Sequence, residues 1–283
     1  MEINKNTKIL IVGLGVIGGS YARALTKKGY EIKAIDISQK TIDYALENKI
    51  IAYGTTEVDP ALVGEADIIV FALYPHTFKK WITDYQQYMR PGIIITDVTG
   101  VKGCIVYDIQ SILRPDVEFI AAHPMAGRER SGVEYSDDRV FIGANFIVTP
   151  TEKNSREAIE LCKSLGAELG FTRISEISPE LHDEMIAFTS QIAHVLACSY
   201  VLSPLAPMHP GYSAGSYRDV SRVARINAEM WSDLFIDNKD ALVREVDDLV
   251  SNLMKFKYNI INEDRQALCD LMNKANSIKE EIG

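Results

Sequence analysis

Up to about residue 150, short apolar runs rich in β-branched residues alternate with stretches whose apolar positions recur at helical spacing. Lys8-Ile9-Leu10-Ile11-Val12 predicts a strand and residues 17–28 a helix; residues 31–35 predict a second strand and 39–48 a second helix. Four more runs of strand length follow at 68–72, 93–96, 119–122 and 145–148. Strands that are apolar along their whole length, with helices between them, indicate a parallel sheet covered on both faces. Thr149-Pro150 closes the last run, and a helix over 155–165 with a short strand near Thr172 completes this half.

From about Glu176 the texture changes. Residues 179–202 carry helical periodicity with no glycine and no internal proline. The next segment, 203–215, holds three prolines and two glycines and reads as a loop. Residues 216–235 and 240–261 are helical again, and a charged tail follows. No internal repeat or low-complexity tract interrupts this order. The pattern predicts an α/β domain over residues 1–175 and an all-α domain over 176–283.

Composition narrows the function classes. The 283 residues are 47% apolar, with 30 Lys and Arg against 39 Asp and Glu, a formal charge of −9. A uniformly acidic chain has no general electrostatic claim on nucleic acid or on an anionic membrane, so neither is expected as a partner. Any anionic ligand must be met by a local cluster of positive charge. Cys104, Cys162, Cys198 and Cys269 are scattered without a CxxC pair, so no metal site and no disulfide framework is expected. The first residues lack the apolar core of a signal peptide, and the apolar runs stop far short of the ~20 residues a membrane span needs. A cytoplasmic protein is the expectation.

Gly13-Leu14-Gly15-Val16-Ile17-Gly18 is a G-x-G-x-x-G sequence. It follows a predicted strand and opens a predicted helix, and the next strand ends in Asp36. Gly13 suits the tight turn, Gly15 a close approach of backbone to a pyrophosphate, and Gly18 tight helix–strand contact. The helix N-terminus presents unpaired N–H groups to phosphate oxygens. Asp36 is placed to accept hydrogen bonds from ribose hydroxyls. Ile37-Ser38 follows it, with no arginine to receive a 2′-phosphate, so NAD is the expected cofactor.

His123 lies in Ala121-Ala122-His123-Pro124-Met125-Ala126-Gly127, just past the end of a predicted parallel strand. Open α/β sheets hold ligands at that edge. An imidazole there is a candidate general base for drawing a proton from an alcohol as hydride leaves. In the helical half, Asp183, Ala187, Gln191 and His194 fall on one face of a regular helix. Arg218, Arg222 and Arg225 share another, where like charges repel unless an anion or acidic groups join them. His76 and His209 sit in proline-containing segments and read as structural or solvated.

Together these residues resemble the prephenate/arogenate dehydrogenase family of tyrosine biosynthesis, almost end to end. The resemblance is carried by Gly13 to Ser20, Thr96-Asp97-Val98, Lys102, His123-Pro124-Met125-Ala126-Gly127 with Ser131-Gly132, and Leu181-His182-Asp183. It continues through Ser190 to His194, Tyr217-Arg218-Asp219, Arg222-Val223-Ala224, Met230-Trp231 and Asn238. It implies a Rossmann-type doubly wound parallel sheet followed by an all-α dimerisation domain, and hence a homodimer. The implied reaction is NAD-dependent oxidative decarboxylation of prephenate to 4-hydroxyphenylpyruvate. His123 is then the base, Arg218 the carboxylate-binding guanidinium and His194 a substrate-side histidine. Alternatives are arogenate as substrate, or an NAD-binding regulator that has lost catalysis. β-Hydroxyacid dehydrogenases of similar build usually place a catalytic lysine in the helical domain, and residues 179–202 contain none.

Two positions depart from the family pattern. The family's Asp-x-x-Ser-x-Lys is Asp97-Val98-Thr99-Gly100-Val101-Lys102, so the serine that meets the substrate hydroxyl in relatives is Gly100. Thr99, one residue earlier, is the candidate replacement hydroxyl. The family's Ser-His-x-x-His is Ser190-Gln191-Ile192-Ala193-His194, where Gln191 keeps hydrogen-bonding capacity but cannot become a cation.

Overall fold

The structure is a computed structural model and describes residues 3–127 and 130–283. Strands and helices alternate through the first half: β1 (Ile9–Val12), α1 (Val16–Lys27), β2 (Ile32–Ile35), α2 (Gln39–Glu47), β3 (Tyr53–Thr55), α3 (Pro60–Glu65), β4 (Ile68–Phe71), α4 (Pro75–Tyr85), β5 (Ile94–Asp97), α5 (Val106–Ile112) and β6 (Glu118–Phe119). Among the described residues these six strands form one parallel sheet in the order β3-β2-β1-β4-β5-β6. The order reverses at β1 and β4, the crevice where doubly wound sheets bind ligands. β1 and β4 are buried along their whole length, which explains their continuous apolar sequence. One core layer packs Leu25, Ile42 and Leu165 on one face of the sheet; Phe78, Trp81 and Ile109 pack on the other.

The predicted strand over 119–122 is divided. β6 ends at Phe119, and β7 (Ala121–Pro124) joins β8 (Asn145–Thr149) and β9 (Arg173–Glu176) in a separate three-stranded sheet, with α6 (Arg156–Leu169) between β8 and β9. β7 and β8 are antiparallel, with His123 opposite Ile147, so the expectation of a wholly parallel sheet fails here. Apolar runs look alike in either direction, and only the connection between them decides. His123 therefore lies within β7, past the end of the parallel strand β6 at Phe119. The Ile120 N–H donates to the Ile95 carbonyl, so β7 prolongs β6 beyond the carboxyl end of β5.

The expected single helix over 179–202 is α7 (Pro179–Ile186) and α8 (Ile192–Val201), joined by a π turn at Ala187–Gln191. The turn adds a residue to the helical register, so Asp183, Ala187, Gln191 and His194 do not form the continuous face that uniform spacing predicts. Next come α9 (Gly215–Ser221), α10 (Ala228–Asp237) and α11 (Lys239–Ile261). α9 gives way to a 3₁₀ turn at Arg222, so Arg218, Arg222 and Arg225 do not share one helix face. The charged tail is itself a helix, α12 (Arg265–Ile282), whose N-cap Asp264 accepts from the Ala267 N–H.

Two compact units result. One comprises the chain up to Ile186 with Arg225–Asn238, and the other comprises Ala187–Ala224 with Lys239–Gly283. α7 and α10 thus belong with the sheet, although their sequence lies in the helical half. No helix among the described residues is long and apolar enough to cross a membrane.

Candidate active site

The glycine turn between β1 and α1 is built by steric necessity. Gly13 has φ +94°, and a Cβ there would lie 2.4 Å from the Ala72 carbonyl oxygen. At Gly18 a Cβ would lie 2.0 Å from the Gly13 carbonyl oxygen. Both glycines let α1 start directly against the sheet. Gly15 is exposed, and a Cβ there would meet nothing within 4 Å, so the helix N-terminus has open space before it. Leu14 is fully buried and Val16 nearly so, whereas Ile17 packs partly buried against the core. The Asp36 carboxylate closes the turn by accepting the Leu14 N–H at 2.7 Å and the Ser38 N–H at 2.9 Å. Ile37 is 96% exposed beside it. An open helix N-terminus, close backbone and an anchored carboxylate at the end of β2 fit the pyrophosphate and ribose of a dinucleotide.

His123 is held by a chain of hydrogen bonds within the same unit. Its Nδ1 is 2.9 Å from Nε2 of His182, and His182 Nδ1 is 2.7 Å from Oδ1 of Asp183. Asp183 is anchored in turn: it accepts the Lys102 N–H at 2.8 Å and the Gly103 N–H at 2.6 Å. A carboxylate only accepts, so His182 Nδ1 carries the proton and its Nε2 accepts from His123 Nδ1–H. The chain fixes the tautomer of His123 and leaves a lone pair on its Nε2 when the ring is neutral. Burial, then His182 and then the Lys102 ammonium, hold the His123 imidazolium well below the ordinary histidine range. His182 is also lowered, chiefly by burial, against the opposing pull of Asp183. Both rings are thus neutral at neutral pH, as a proton acceptor and its support must be. Sequence reasoning placed His182 only within a family motif; its adjacency to Asp183 at a helix start was the available signal.

Beneath this chain lies a buried ion pair. Lys102 and Asp97 both have fully buried side chains, and Lys102 Nζ meets Asp97 Oδ2 at 2.8 Å, the Thr99 hydroxyl at 3.1 Å and the Ala122 carbonyl at 2.5 Å. The other oxygen of Asp97 accepts the Ala122 N–H at 3.0 Å. The cluster therefore fixes the strand that carries His123. The Thr99 hydroxyl donates to Asp97 within this cluster, and Thr99 is buried. That corrects its expected role: a hydroxyl has one proton, and here it is spent inside the protein and not on a substrate. Gly100 lies on the other side of the loop, where a Cβ would sit 3.9 Å from His123 Nε2.

The remaining expected residues belong to the second unit. Gln191 is buried in the π turn. His194 Nδ1–H donates to the Val223 carbonyl at 2.9 Å, which orients the ring. Arg218 is exposed on α9, with its Nε 3.1 Å from Oδ1 of the equally exposed Asp219. His209 bonds the Ser213 hydroxyl at 2.8 Å and packs on Tyr217, in keeping with a structural reading.

Comparison with known proteins places this geometry among relatives. Residues 21–174 match the family described as prephenate dehydrogenase, nucleotide-binding domain, and residues 178–274 match prephenate dehydrogenase, dimerization domain. Prephenate dehydrogenase of Bacillus subtilis is 30% identical over 269 residues, which span 92% of this chain and 72% of that protein. Cyclohexadienyl dehydrogenase of Zymomonas mobilis is 29% identical over 93% of this chain and 91% of its own length. Among solved structures, prephenate dehydrogenase from A. aeolicus in complex with hydroxyphenyl propionate and NAD+ matches with a TM-score of 0.86 at 30% identity, over 98% of both chains. A 3-hydroxyisobutyrate dehydrogenase from Mycobacterium tuberculosis, at TM-score 0.53 and 18% identity, shares the fold alone.

Proposed function

Because the chain belongs to the prephenate dehydrogenase family and is an NAD-dependent dehydrogenase, we propose that it oxidatively decarboxylates prephenate. The observation that carries this reading is the His123–His182–Asp183 chain, which leaves His123 Nε2 as the one ring nitrogen available to a substrate hydroxyl. Bound NAD supplies the hydride-accepting nicotinamide; Gly13 to Gly18 and Asp36 would hold its pyrophosphate and ribose. His123 Nε2 takes the proton of the C4 hydroxyl, and the positive charge it gains is supported through His182 by Asp183. Loss of carbon dioxide from the ring then gives the aromatic product, 4-hydroxyphenylpyruvate. The chain's share of catalysis is positioning and proton removal, since the cofactor carries the redox chemistry.

Arg218 is assigned to a substrate carboxylate, with His194 and Gln191 on the substrate side. A guanidinium matches a carboxylate in two parallel hydrogen bonds, and the solvated pairing of Arg218 with Asp219 is easily exchanged. We further assign the second unit to homodimer formation. Its exposed apolar side chains include Phe188, Tyr200, Leu253, Met254, Tyr258 and Ile261, more than a solvated surface needs. The location that matches this reading is the cytoplasm.

The test is NADH absorbance with NAD and prephenate, repeated with arogenate. NADH formed with prephenate in preference to arogenate supports the reading. Preference for arogenate replaces the substrate, and NAD binding without turnover of either supports a non-catalytic role motivated by Gly100.

A further inference from the structure

Position 100 faces the base. A Cβ built on Gly100 has two neighbours within 4 Å beyond the adjoining chain: Leu234 Cδ2 at 3.5 Å and His123 Nε2 at 3.9 Å. The space left beside Gly100 by the missing Cβ is thus neighboured by the reacting nitrogen and by an apolar wall. The wall is fixed to the same support as the base. Leu234 lies on α10, its carbonyl accepts the Asn238 N–H at 3.3 Å, and the buried Asn238 amide donates to the Asp183 carbonyl at 2.9 Å. Asp183 is the residue that orients His182 and, through it, His123. The niche and the base therefore share one anchor.

We propose that Gly100 and Leu234 form a niche that receives the hydroxyl-bearing carbon of the substrate ring, so that shape rather than a hydrogen bond from position 100 sets its approach to His123. The inference rests on the reading of the preceding section. The Thr99 hydroxyl does not replace the side chain that Gly100 lacks, since it donates to Asp97. The ring carbon can sit one atom deeper than a side chain at 100 would allow, in van der Waals contact with Leu234. Gly100 and Leu234 are positioning residues here, and His123 remains the catalytic one.

The experiment compares NADH formation from prephenate by the unsubstituted enzyme, G100A, G100S and the double variant G100A/L234V, with NAD affinity and Tm measured on each. The alanine Cβ of G100A meets its neighbours at ordinary contact distance, so its Tm and NAD affinity stay unchanged. A filled niche lowers kcat/KM by about 10- to 100-fold in G100A and in G100S, the scale of a 1 Å misplacement. L234V withdraws the δ carbon that faces position 100, and in the G100A background it recovers a large part of the loss, a non-additive effect between contacting residues. Unchanged turnover in G100A, a gain in G100S, or no recovery in the double variant each overturns the niche. No turnover by the unsubstituted enzyme overturns the substrate reading and the niche together, so the two failures are distinguishable.

Discussion

His123 Nδ1 and His182 Nε2 meet at 2.9 Å, across 59 residues of sequence, and His182 in turn bonds Asp183 at 2.7 Å. This pairing decides which nitrogen of His123 can take a proton. Replacing His182 by leucine removes the acceptor and releases the ring. His182→Leu is expected to lower kcat by about 10- to 100-fold with prephenate. NAD affinity, measured by fluorescence titration, stays within about twofold, because the glycine turn is untouched.

The fold was legible where sterics and burial act locally. Gly13 and Gly18 announce the turn because a Cβ at either would run into backbone. β1, β2, β4 and β5 announce themselves because parallel strands carry apolar side chains on both faces. β3 and α4 escape such reading: the first is three half-exposed residues, and the second opens with Pro75 and His76 and mixes in two lysines. The antiparallel pairing of β7 and the π turn at Ala187–Gln191 depend on tertiary connection, and neither has a local signature. Within the site, His123 was legible from its place at the sheet edge. The chain through His182 was not, because residues 59 apart meet only in the fold. Thr99 misled for a related reason, as its hydroxyl is used by Asp97 two residues before it.

The pH dependence follows from the lowered values of His123 and His182. His123 stays a base well below its ordinary value, so the acid limb of kcat/KM should fall below about pH 6.5. Stability moves in the same direction. Below about pH 6.5 the unfolded chain takes up protons on both histidines that the folded protein does not bind, so stability present above that pH is lost on acidification. A Tm that declines between pH 7 and 5, and declines less in His123→Asn, is the expected observation.

The buried pair of Lys102 and Asp97 gives a stability prediction. Lys102→Met leaves Asp97 buried without its cation and should cost about 3–5 kcal/mol, read from the denaturant midpoint. The double variant Lys102→Met/Asp97→Asn should recover part of that loss, since no unpaired charge remains. A single variant as stable as the parent would deny the pair its structural role.

Asp36 closes the turn and is the proposed partner of the cofactor ribose. Asp36→Ala removes acceptors from the Leu14 and Ser38 N–H groups, with a rise of about tenfold or more in the KM for NAD and a smaller effect on kcat. Arg218→Ala should act on the other ligand, raising the KM for prephenate while that for NAD holds. An unaltered prephenate KM moves the carboxylate site elsewhere.

The most direct measurement is the turnover of His123→Asn with prephenate and saturating NAD, alongside its NAD affinity. An asparagine amide can keep a hydrogen bond to the hydroxyl but cannot take the proton. Turnover reduced about 10²–10⁴-fold, with NAD bound as tightly as before, is the expected result. A variant that turns over at the parental rate contradicts the assignment of His123 as the base.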